Sequence, residues 1–216
     1  MRNPPSRRAC HRQRNSLVFL VLALLIQAGP PVPAATDELV ITEIMYDSRS
    51  VDVEWIEFYN RSGTNLDLAG WYVLDEEDTH QKLLLDGVQL APGEVLLVIE
   101  FESAFVAQYG DTVTNYHPNT FGGSWGLNND GDACRIFKPG DVLVDEVWYG
   151  NVAPWPTAAA GQGPSLQLIS MGLDNNAGES WQASPGDWGT PGEVEVSVPT
   201  AGSTWGAVKA LYRSRE

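Results

Sequence analysis

The chain has 216 residues, with 13 Lys and Arg against 28 Asp and Glu, and a net charge of −15 at pH 7. This excess of acid argues against a surface that binds nucleic acid through its phosphates, because such contacts require clustered Lys and Arg. It suits solubility through mutual repulsion or contact with divalent cations. The length fits one domain with a proper hydrophobic core and a short tail.

The first 34 residues are organised like a secretory signal peptide. Residues 1–16 hold five arginines and no acid, residues 17–26 are apolar, and small residues follow at 32–34. The alternative is an N-terminal membrane anchor, but spanning a bilayer takes about 20 apolar residues. We therefore expect removal of residues 1–34 and a mature chain without a transmembrane segment. That chain carries 8 Lys and Arg against 28 Asp and Glu, a net charge of −20.

Short β-strands dominate the pattern from residue 38 onwards. Alternating or wholly apolar segments rich in Ile, Val, Thr and aromatic residues are separated by Asn, Asp, Gly and Pro, which favour turns. The predicted strands are residues 39–46, 54–60, 66–74, 81–85, 95–100, 132–137, 142–149, 165–170 and 180–182. The segment 95–100 begins with five consecutive apolar residues, which indicates burial on both sides. The pattern lacks βαβ alternation, so it predicts an all-β fold, an antiparallel β-sandwich.

Two local features of this region have strong signals. Phe105, Val106 and Tyr109 recur at helical spacing and Gly110 follows them, which predicts one short helix over residues 102–109. The tight turn at residues 139–141 joins two predicted strands into a hairpin.

Cys134 is the only cysteine beyond the predicted signal peptide, so no disulfide can form within the mature chain. It lies in an apolar strand, and this position indicates a small buried side chain rather than a reactive thiol.

The most specific signal is an ordered set of short motifs. They read ITEI at 41–44, EWIEFYN at 54–60, LDLAGW at 66–71, LAPGE at 90–94, LNNDGD at 127–132, VWYG at 147–150, SLQL at 165–168 and TPG at 190–192. In this order they resemble the lamin-tail domain of secreted bacterial proteins, over roughly residues 38–192. The resemblance implies an immunoglobulin-like β-sandwich that serves as a non-catalytic module on exported or surface proteins. Nothing about nuclear filaments carries over, because the chain has no coiled-coil rod, nuclear localisation run or prenylation box.

Residues that could support catalysis are few. His80 and His117, the histidines of the predicted mature chain, fall in predicted loops without metal-ligand spacing, and no G-x-S-x-G motif is present. Glu43, Glu54 and Glu57 come from two neighbouring strands and would form paired acids if they met on one face.

The alternative reading of these glutamates is structural. In that reading Glu43 binds a backbone turn or pairs with Arg61, and we favour it. We therefore expect no enzymatic activity, with a Ca²⁺-dependent hydrolase as the less favoured alternative.

Two other groups of residues within the predicted domain are candidate sites. An acidic loop offers oxygen ligands for weak Ca²⁺ binding, but we favour its interpretation as a solvated loop without a cofactor; it comprises Asp75, Glu76, Glu77 and Asp78. Aromatic residues near irregular segments form a candidate binding patch for a protein or glycan at the cell surface, unless they pack in the core or at its rim; they are Trp148, Tyr149, Trp155 and Trp188.

The last 24 residues, 193–216, read as a linker and an amphipathic tail. The apolar positions of the tail are Trp205, Val208, Leu211 and Tyr212, and its basic positions are Lys209, Arg213 and Arg215. The tail either docks on its own domain, frays, or serves as a sorting or attachment signal. The function we expect is a secreted, non-catalytic binding or adhesion module outside the cell or at its surface. The alternative is a structural surface or matrix protein attached through the tail.

Overall fold

A computed structural model of the chain describes residues 38–49, 53–110, 113, 116–117 and 126–194. The predicted signal peptide and the predicted tail (Trp205, Val208, Leu211 and Tyr212) lie outside the described residues. Among the described residues, no helix is long and apolar enough to cross a membrane.

Twelve short strands and one α-helix make up the described part of the chain. The strands are β1 (Leu39–Met45), β2 (Trp55–Asn60), β3 (Leu66–Asp67), β4 (Tyr72–Leu74), β5 (Leu83–Leu84), β6 (Gln89–Leu90), β7 (Val95–Ile99), β8 (Tyr116–His117), β9 (Gly131–Lys138), β10 (Val142–Gly150), β11 (Leu166–Leu168) and β12 (Trp181–Ala183). The helix α1 spans Glu102–Tyr109, and two 3-10 turns span Thr157–Ala159 and Gly178–Ser180.

The strands form two main sheets and one small ribbon. The larger sheet has the order β12-β11-β1-β2-β7-β8, the second has the order β10-β9-β4-β5, and β3 pairs with β6. Every described pairing is antiparallel except that of β7 with β8. Apolar side chains from both sheets form one continuous core, among them Ile56, Phe58, Val98, Ile136 and Val147. The predicted all-β antiparallel sandwich with one short helix is confirmed.

Local sequence signals place several elements correctly. The helix spans Glu102–Tyr109 as predicted, and Gly110 follows it with φ 72°. The hairpin of β9 and β10 forms around the turn at residues 139–141. β7 is almost wholly buried, and so is Cys134.

Two details of the predicted strands are wrong. The segment 66–74 is two strands in different sheets, because the chain turns at Gly70 (φ 74°), whose N–H donates to Asp86 Oδ1 at 2.7 Å. The strict alternation of β1 is broken by a bulge between Ile41 and Glu43. At the bulge the Ile41 N–H donates to Asp145 Oδ2 of β10 at 2.7 Å, which joins the two sheets.

A second, smaller core lies on the outer side of the larger sheet. Phe105 of α1 packs there against Met45, Trp55, Leu97 and Ile99. The segment of residues 188–192, called the closing segment below, covers the same side. It is tied to the helix by the Tyr109 hydroxyl, which donates to the carbonyl of Trp188 at 2.7 Å and accepts from Trp55 Nε1 at 2.9 Å.

Candidate functional site

The glutamates of β1 and β2 meet on the outer side of the larger sheet. Glu43 and Glu57 are direct cross-strand partners, and each residue is only 1% exposed because the closing segment lies over them. The bulge in β1 places Glu43 on this side although Ile41 points into the core. Glu54 is engaged elsewhere, since its Oε2 accepts the N–H of Leu127 at 2.9 Å.

Glu43 is bound by the closing segment and by the residue before β11. Thr190 donates its backbone N–H to Oε1 at 2.9 Å and its hydroxyl to Oε2 at 2.8 Å, and the Ser165 hydroxyl also donates to Oε1. The structural reading of Glu43, a bond to a backbone turn, therefore holds. Arg61 donates to the carbonyl of Met171 at 3.0 Å.

Glu57 is bound in the same manner from two sides. The Thr42 hydroxyl donates to Oε1 at 2.6 Å, and the Gly192 N–H donates to Oε2 at 2.8 Å. Together the two carboxylates hold the closing segment at Thr190 and Gly192. A buried carboxylate requires such partners, because leaving it unpaired costs a large desolvation free energy.

The environment of the pair changes the acidity of Glu57. Burial raises the pKa of Glu57 to about 8, the nearby charge of Glu43 adds to this effect, and the bonds from Thr42 and Gly192 oppose it. Shifted carboxyl groups of this kind occur in active sites, where a substrate can reach them. Here the closing segment covers both carboxylates and donates hydrogen bonds to each of them, so the pair holds this segment on the sheet.

The predicted Ca²⁺ loop directs its side chains to different places. Asp75 is buried, its Oδ2 lies 2.7 Å from His80 Nδ1, and its carbonyl accepts from Arg135 Nε at 2.7 Å. Asp78 binds Arg135 Nη1 at 2.7 Å, while Glu76 and Glu77 are exposed. In the part of the chain that the structure describes, no three His, Cys, Asp or Glu side chains are grouped to hold a metal ion. Binding of Ca²⁺ by Asp75, Glu76, Glu77 and Asp78 stays a prediction.

The structure separates the four aromatic residues of the predicted patch. Trp148 is 47% exposed on the outer side of the smaller sheet. Tyr149, the next residue, is buried and packs on Tyr46 with ring centroids 4.6 Å apart. Trp155 is half-buried with its ring centroid 6.0 Å from that of Trp181, and Trp188 lies in the closing segment with φ 76°.

A different group of side chains shares the outer side of the smaller sheet with Trp148. We call this surface the open face; it comprises Tyr72, Leu84, Arg135, Phe137, Leu143 and Trp148. Leu84, Leu143 and Trp148 are exposed and Phe137 is half-buried, whereas Tyr72 and Arg135 are buried. Strand register sets one row of it, since Tyr72 pairs with Leu84 and with Phe137, and Phe137 pairs with Leu143. The rings of Tyr72 and Phe137 stack with centroids 4.9 Å apart.

Cations cover part of this aromatic row. Lys82 Nζ lies 4.0 Å above the ring of Tyr72, and the Arg135 guanidinium lies 5.6 Å from Phe137 and 5.8 Å from Trp148. Of the six large apolar side chains exposed in the described residues, four belong to β5 and β10 of the smaller sheet: Leu84, Val142, Leu143 and Trp148. Leu84 lies at one edge of this sheet and the other three lie at the opposite edge, on β10. Exposed apolar residues grouped along one strand mark the β10 edge as a candidate interaction surface.

Acids line the open face. Lys82 is bound to Asp141 at 2.7 Å, and Arg135 is bound to Asp78 at 2.7 Å. Both cations on this side of the sheet are therefore neutralised. Glu146 of β10 is half-buried and pairs with Arg135 of β9, and its carboxylate accepts a hydrogen bond from Trp148 Nε1 at 3.1 Å. Sequence reasoning missed this surface because alternation alone does not say which strands are neighbours or which side remains uncovered.

Comparison with protein families identifies the matched part of the chain. A family model described as Lamin Tail Domain matches residues 32–151, more than half of the chain and the range from β1 to β10. No curated protein matches the chain. The matched range contains Glu43, Glu57 and every residue of the open face, but not the closing segment.

We expect the stability of the protein to fall as the pH rises from about 5 to about 8. The pKa of Glu57 in the folded state, about 8, lies above the ordinary value of 4.5, so the folded protein keeps a proton that the unfolded chain loses. The contribution of this proton to the free energy of unfolding is fully present below pH 4.5 and is lost as the pH rises through 8. The free energy of unfolding should fall by at most about 1.4 kcal/mol per pH unit in this range. Urea unfolding at a series of pH values measures it.

The matched variants for this experiment are Glu57→Gln and the exposed Glu179→Gln. Glu57→Gln should lose the slope between pH 5 and 8 because its side chain does not titrate, while Glu179→Gln should keep it. An equal slope in all three proteins would show that the carboxylate pair does not control this pH range.

We also expect Gly189→Ala to loosen the closing segment. A Cβ atom there would lie 2.6 Å from Glu43 Oε1, 2.8 Å from Ser165 Oγ and 3.0 Å from Trp55 Cζ2. Gly87→Ala is the control, because Gly87 shares the positive φ but has nothing within 4 Å of the added carbon. The strain of an alanine at positive φ should lower the free energy of unfolding of both variants by about 1–2 kcal/mol. The contacts of the added carbon should lower that of Gly189→Ala by roughly 2 kcal/mol more. Equal losses in urea unfolding would contradict this.

Proposed function

The chain belongs to the Lamin Tail Domain family, and from this we propose that it is a non-catalytic binding module that acts outside the cell or at its surface. The family is immunoglobulin-like, which agrees with the antiparallel sandwich described above, so both the predicted family and the predicted fold class are confirmed. The binding role, the ligand and the location are the proposal.

One feature of the structure supports a role without catalysis. The paired glutamates are covered by the closing segment, in which Thr190 and Gly192 donate to them. In this arrangement the two carboxylates serve the fold, because a substrate cannot approach them.

The open face is the observation that carries the proposal. Trp148 and Leu143 are exposed by 47% and 38% on the β10 edge of a regular, hydrogen-bonded sheet, and Leu84 is exposed by 47% on its β5 edge. Aromatic and large apolar residues at the surface are favoured where proteins bind partners, because they bury a large area at a small entropic cost. A rigid sheet edge that exposes Trp148 and Leu143 is therefore suited to contact a partner.

The distribution of charge supports a partner other than nucleic acid. The five Lys and Arg among the described residues are all engaged: Arg49 with Asp187, Arg61 with the Met171 carbonyl, Lys82 with Asp141, Arg135 with Asp78, and Lys138 with Glu38. None of these five is left to pair with a phosphate, and phosphate contacts dominate binding to nucleic acid. A protein or a glycan at the cell surface fits this acidic module better.

Export is supported by the N-terminal sequence. Its arginines, apolar run and small residues match the three regions of a signal peptide. We expect protein recovered from the culture medium to begin at Ala35, as measured by intact mass. Leu22→Arg should keep the uncleaved chain inside the cell because it places a charge in the apolar run, whereas Leu22→Ile should be exported normally. Export of Leu22→Arg at the native level would contradict the assignment.

The binding role is tested on the open face. We expect Trp148→Ala and Leu143→Glu to reduce the amount of fluorescently labelled protein bound to intact cells of the producing organism at least tenfold. The control is Val152→Glu, since Val152 is 66% exposed but follows β10 outside the sheet. If the open-face variants bind as well as the native protein, or if Val152→Glu is equally impaired, the open face is not the contact surface.

A further inference from the structure

Four polar side chains form a row across the outer side of the larger sheet. The row runs over β12, β11, β1 and β2 and consists of Gln182, Gln167, Glu43 and Glu57, each a direct cross-strand partner of the next. Residues in register across a sheet point to the same side, so these side chains are neighbours. Thr190 of the closing segment contacts both Glu43 and Gln167. A hydroxyl, a carboxamide and a carboxylate therefore meet at one place.

The Thr190 hydroxyl lies between the other two groups. It donates to Glu43 Oε2 at 2.8 Å and accepts from Gln167 Nε2 at 2.9 Å. The carbonyl carbon Cδ of Gln167 is bonded to Nε2 over about 1.33 Å, so it lies at most about 4.2 Å from the Thr190 oxygen. A nucleophile attacks from about 3–3.5 Å. A displacement of roughly 1 Å thus brings the hydroxyl oxygen to an attacking distance from the carboxamide.

The groups around this pair are those that acyl transfer requires. Glu43 accepts three hydrogen bonds, two from Thr190 and one from the Ser165 hydroxyl, as an ionised carboxylate does. It is therefore placed to take the proton of the Thr190 hydroxyl. On the far side of the carboxamide, Gln182 Nε2 donates to Gln167 Oε1 at 3.1 Å. That oxygen becomes negative during attack on Cδ, and the donor stabilises it.

The reacting groups are shielded from water. Gln167 and Glu43 are buried, and Thr190 of the closing segment is bound to both. Exclusion of water strengthens the interactions that stabilise developing charge, and it slows hydrolysis of an ester once formed. Glu57 lies beside Glu43, and burial raises the pKa of Glu57 to about 8, so an acid and a base are neighbours at neutral pH. The same environment favours formation of the bond and protects it.

We propose that the side chains of Thr190 and Gln167 join in an ester bond that the folded protein forms by itself. The Thr190 oxygen attacks Cδ and forms the new C–O bond, while the hydroxyl proton passes to Glu43. The Cδ–Nε2 bond then breaks, its electron pair stays on nitrogen, and Glu43 returns the proton to that nitrogen, which leaves as ammonia. One alcohol and one carboxamide give one ester and one ammonia, so no oxidant or other co-reactant is consumed.

The bond fixes the closing segment to β11. It closes a loop over residues 167–190, which contains β12, and a covalent loop restricts the unfolded chain as a disulfide does. Cys134 is the only cysteine beyond residue 34, so the mature chain cannot form an internal disulfide for this purpose. The reaction occurs once in each molecule and modifies the chain itself, which is distinct from turnover of an outside substrate.

The intact mass of the mature protein tests the bond. We expect the native protein to be lighter than its sequence mass by one molecule of ammonia. Thr190→Val keeps the shape of the side chain but lacks the hydroxyl, so it should have the full mass, whereas Thr190→Ser should again be lighter. The control is Thr79→Val, which should keep the mass loss. Thr79 is exposed and also donates to a carboxylate, Glu77 Oε1 at 3.2 Å.

A protease that cleaves after glutamate identifies the linked residues. It separates residues 147–179 from residues 180–193, and these two peptides stay joined only when Gln167 and Thr190 are linked. Hydroxylamine cleaves esters but not ordinary amides, so it should separate the peptides and leave a hydroxamate at residue 167. Glu43→Gln, which removes the base, should yield unlinked peptides. A thermal unfolding curve checks that each variant is folded.

Three results overturn the inference. The first is a native protein of full mass, and the second is a mass loss that Thr190→Val retains. The third is a pair of peptides joined through other residues or by a bond that resists hydroxylamine. None of these results bears on the proposed function, because no residue of the open face takes part in the bond. Conversely, binding of Trp148→Ala to cells at the native level would contradict the proposed function and leave the ester unaffected.

Discussion

The fold depends on two glutamates that are buried and bound by the end of the domain. Glu43 and Glu57 lie side by side on β1 and β2, and at least five donors satisfy them, from Thr42, Ser165, Thr190 and Gly192. Two adjacent carboxyl groups in a dry environment are costly unless they are bonded and hold a proton between them. Their position therefore fixes the closing segment to one place on the sheet.

Because the closing segment is held on the larger sheet, the two outer sides of the sandwich differ in how far they are covered. On the larger sheet, α1 and the closing segment cover Met45, Trp55 and Leu97, and the Trp55–Tyr109–Trp188 hydrogen bonds join helix and segment into one layer. The smaller sheet has no such layer over Leu143 and Trp148. The side that carries the paired glutamates is covered, and the side that carries Leu143 and Trp148 is available for contact.

The sequence predicted what depends on neighbouring residues, and missed what depends on distant ones. The helix Glu102–Tyr109 follows from the spacing of Phe105 and Tyr109 and from Gly110, and the β9–β10 hairpin follows from its turn. The bulge in β1 depends on Asp145, more than a hundred residues away, so alternation misjudged which residues share a side with Glu43. The open face was missed for the same reason, since cross-strand pairing brings Tyr72 beside Phe137.

The residues after the family match complete the fold of the matched region. The match ends at residue 151, after β10, yet β1 pairs on its other edge with β11, and Glu43 and Glu57 are bound by Thr190 and Gly192. Without β11 and the closing segment, β1 would have an unpaired edge, and both carboxyl groups would lose backbone partners. The last third of the described chain is therefore part of the same folding unit as the matched region. Its residues Leu166, Leu168 and Trp181 belong to the main core between the sheets, so the core is complete only when this part is in place.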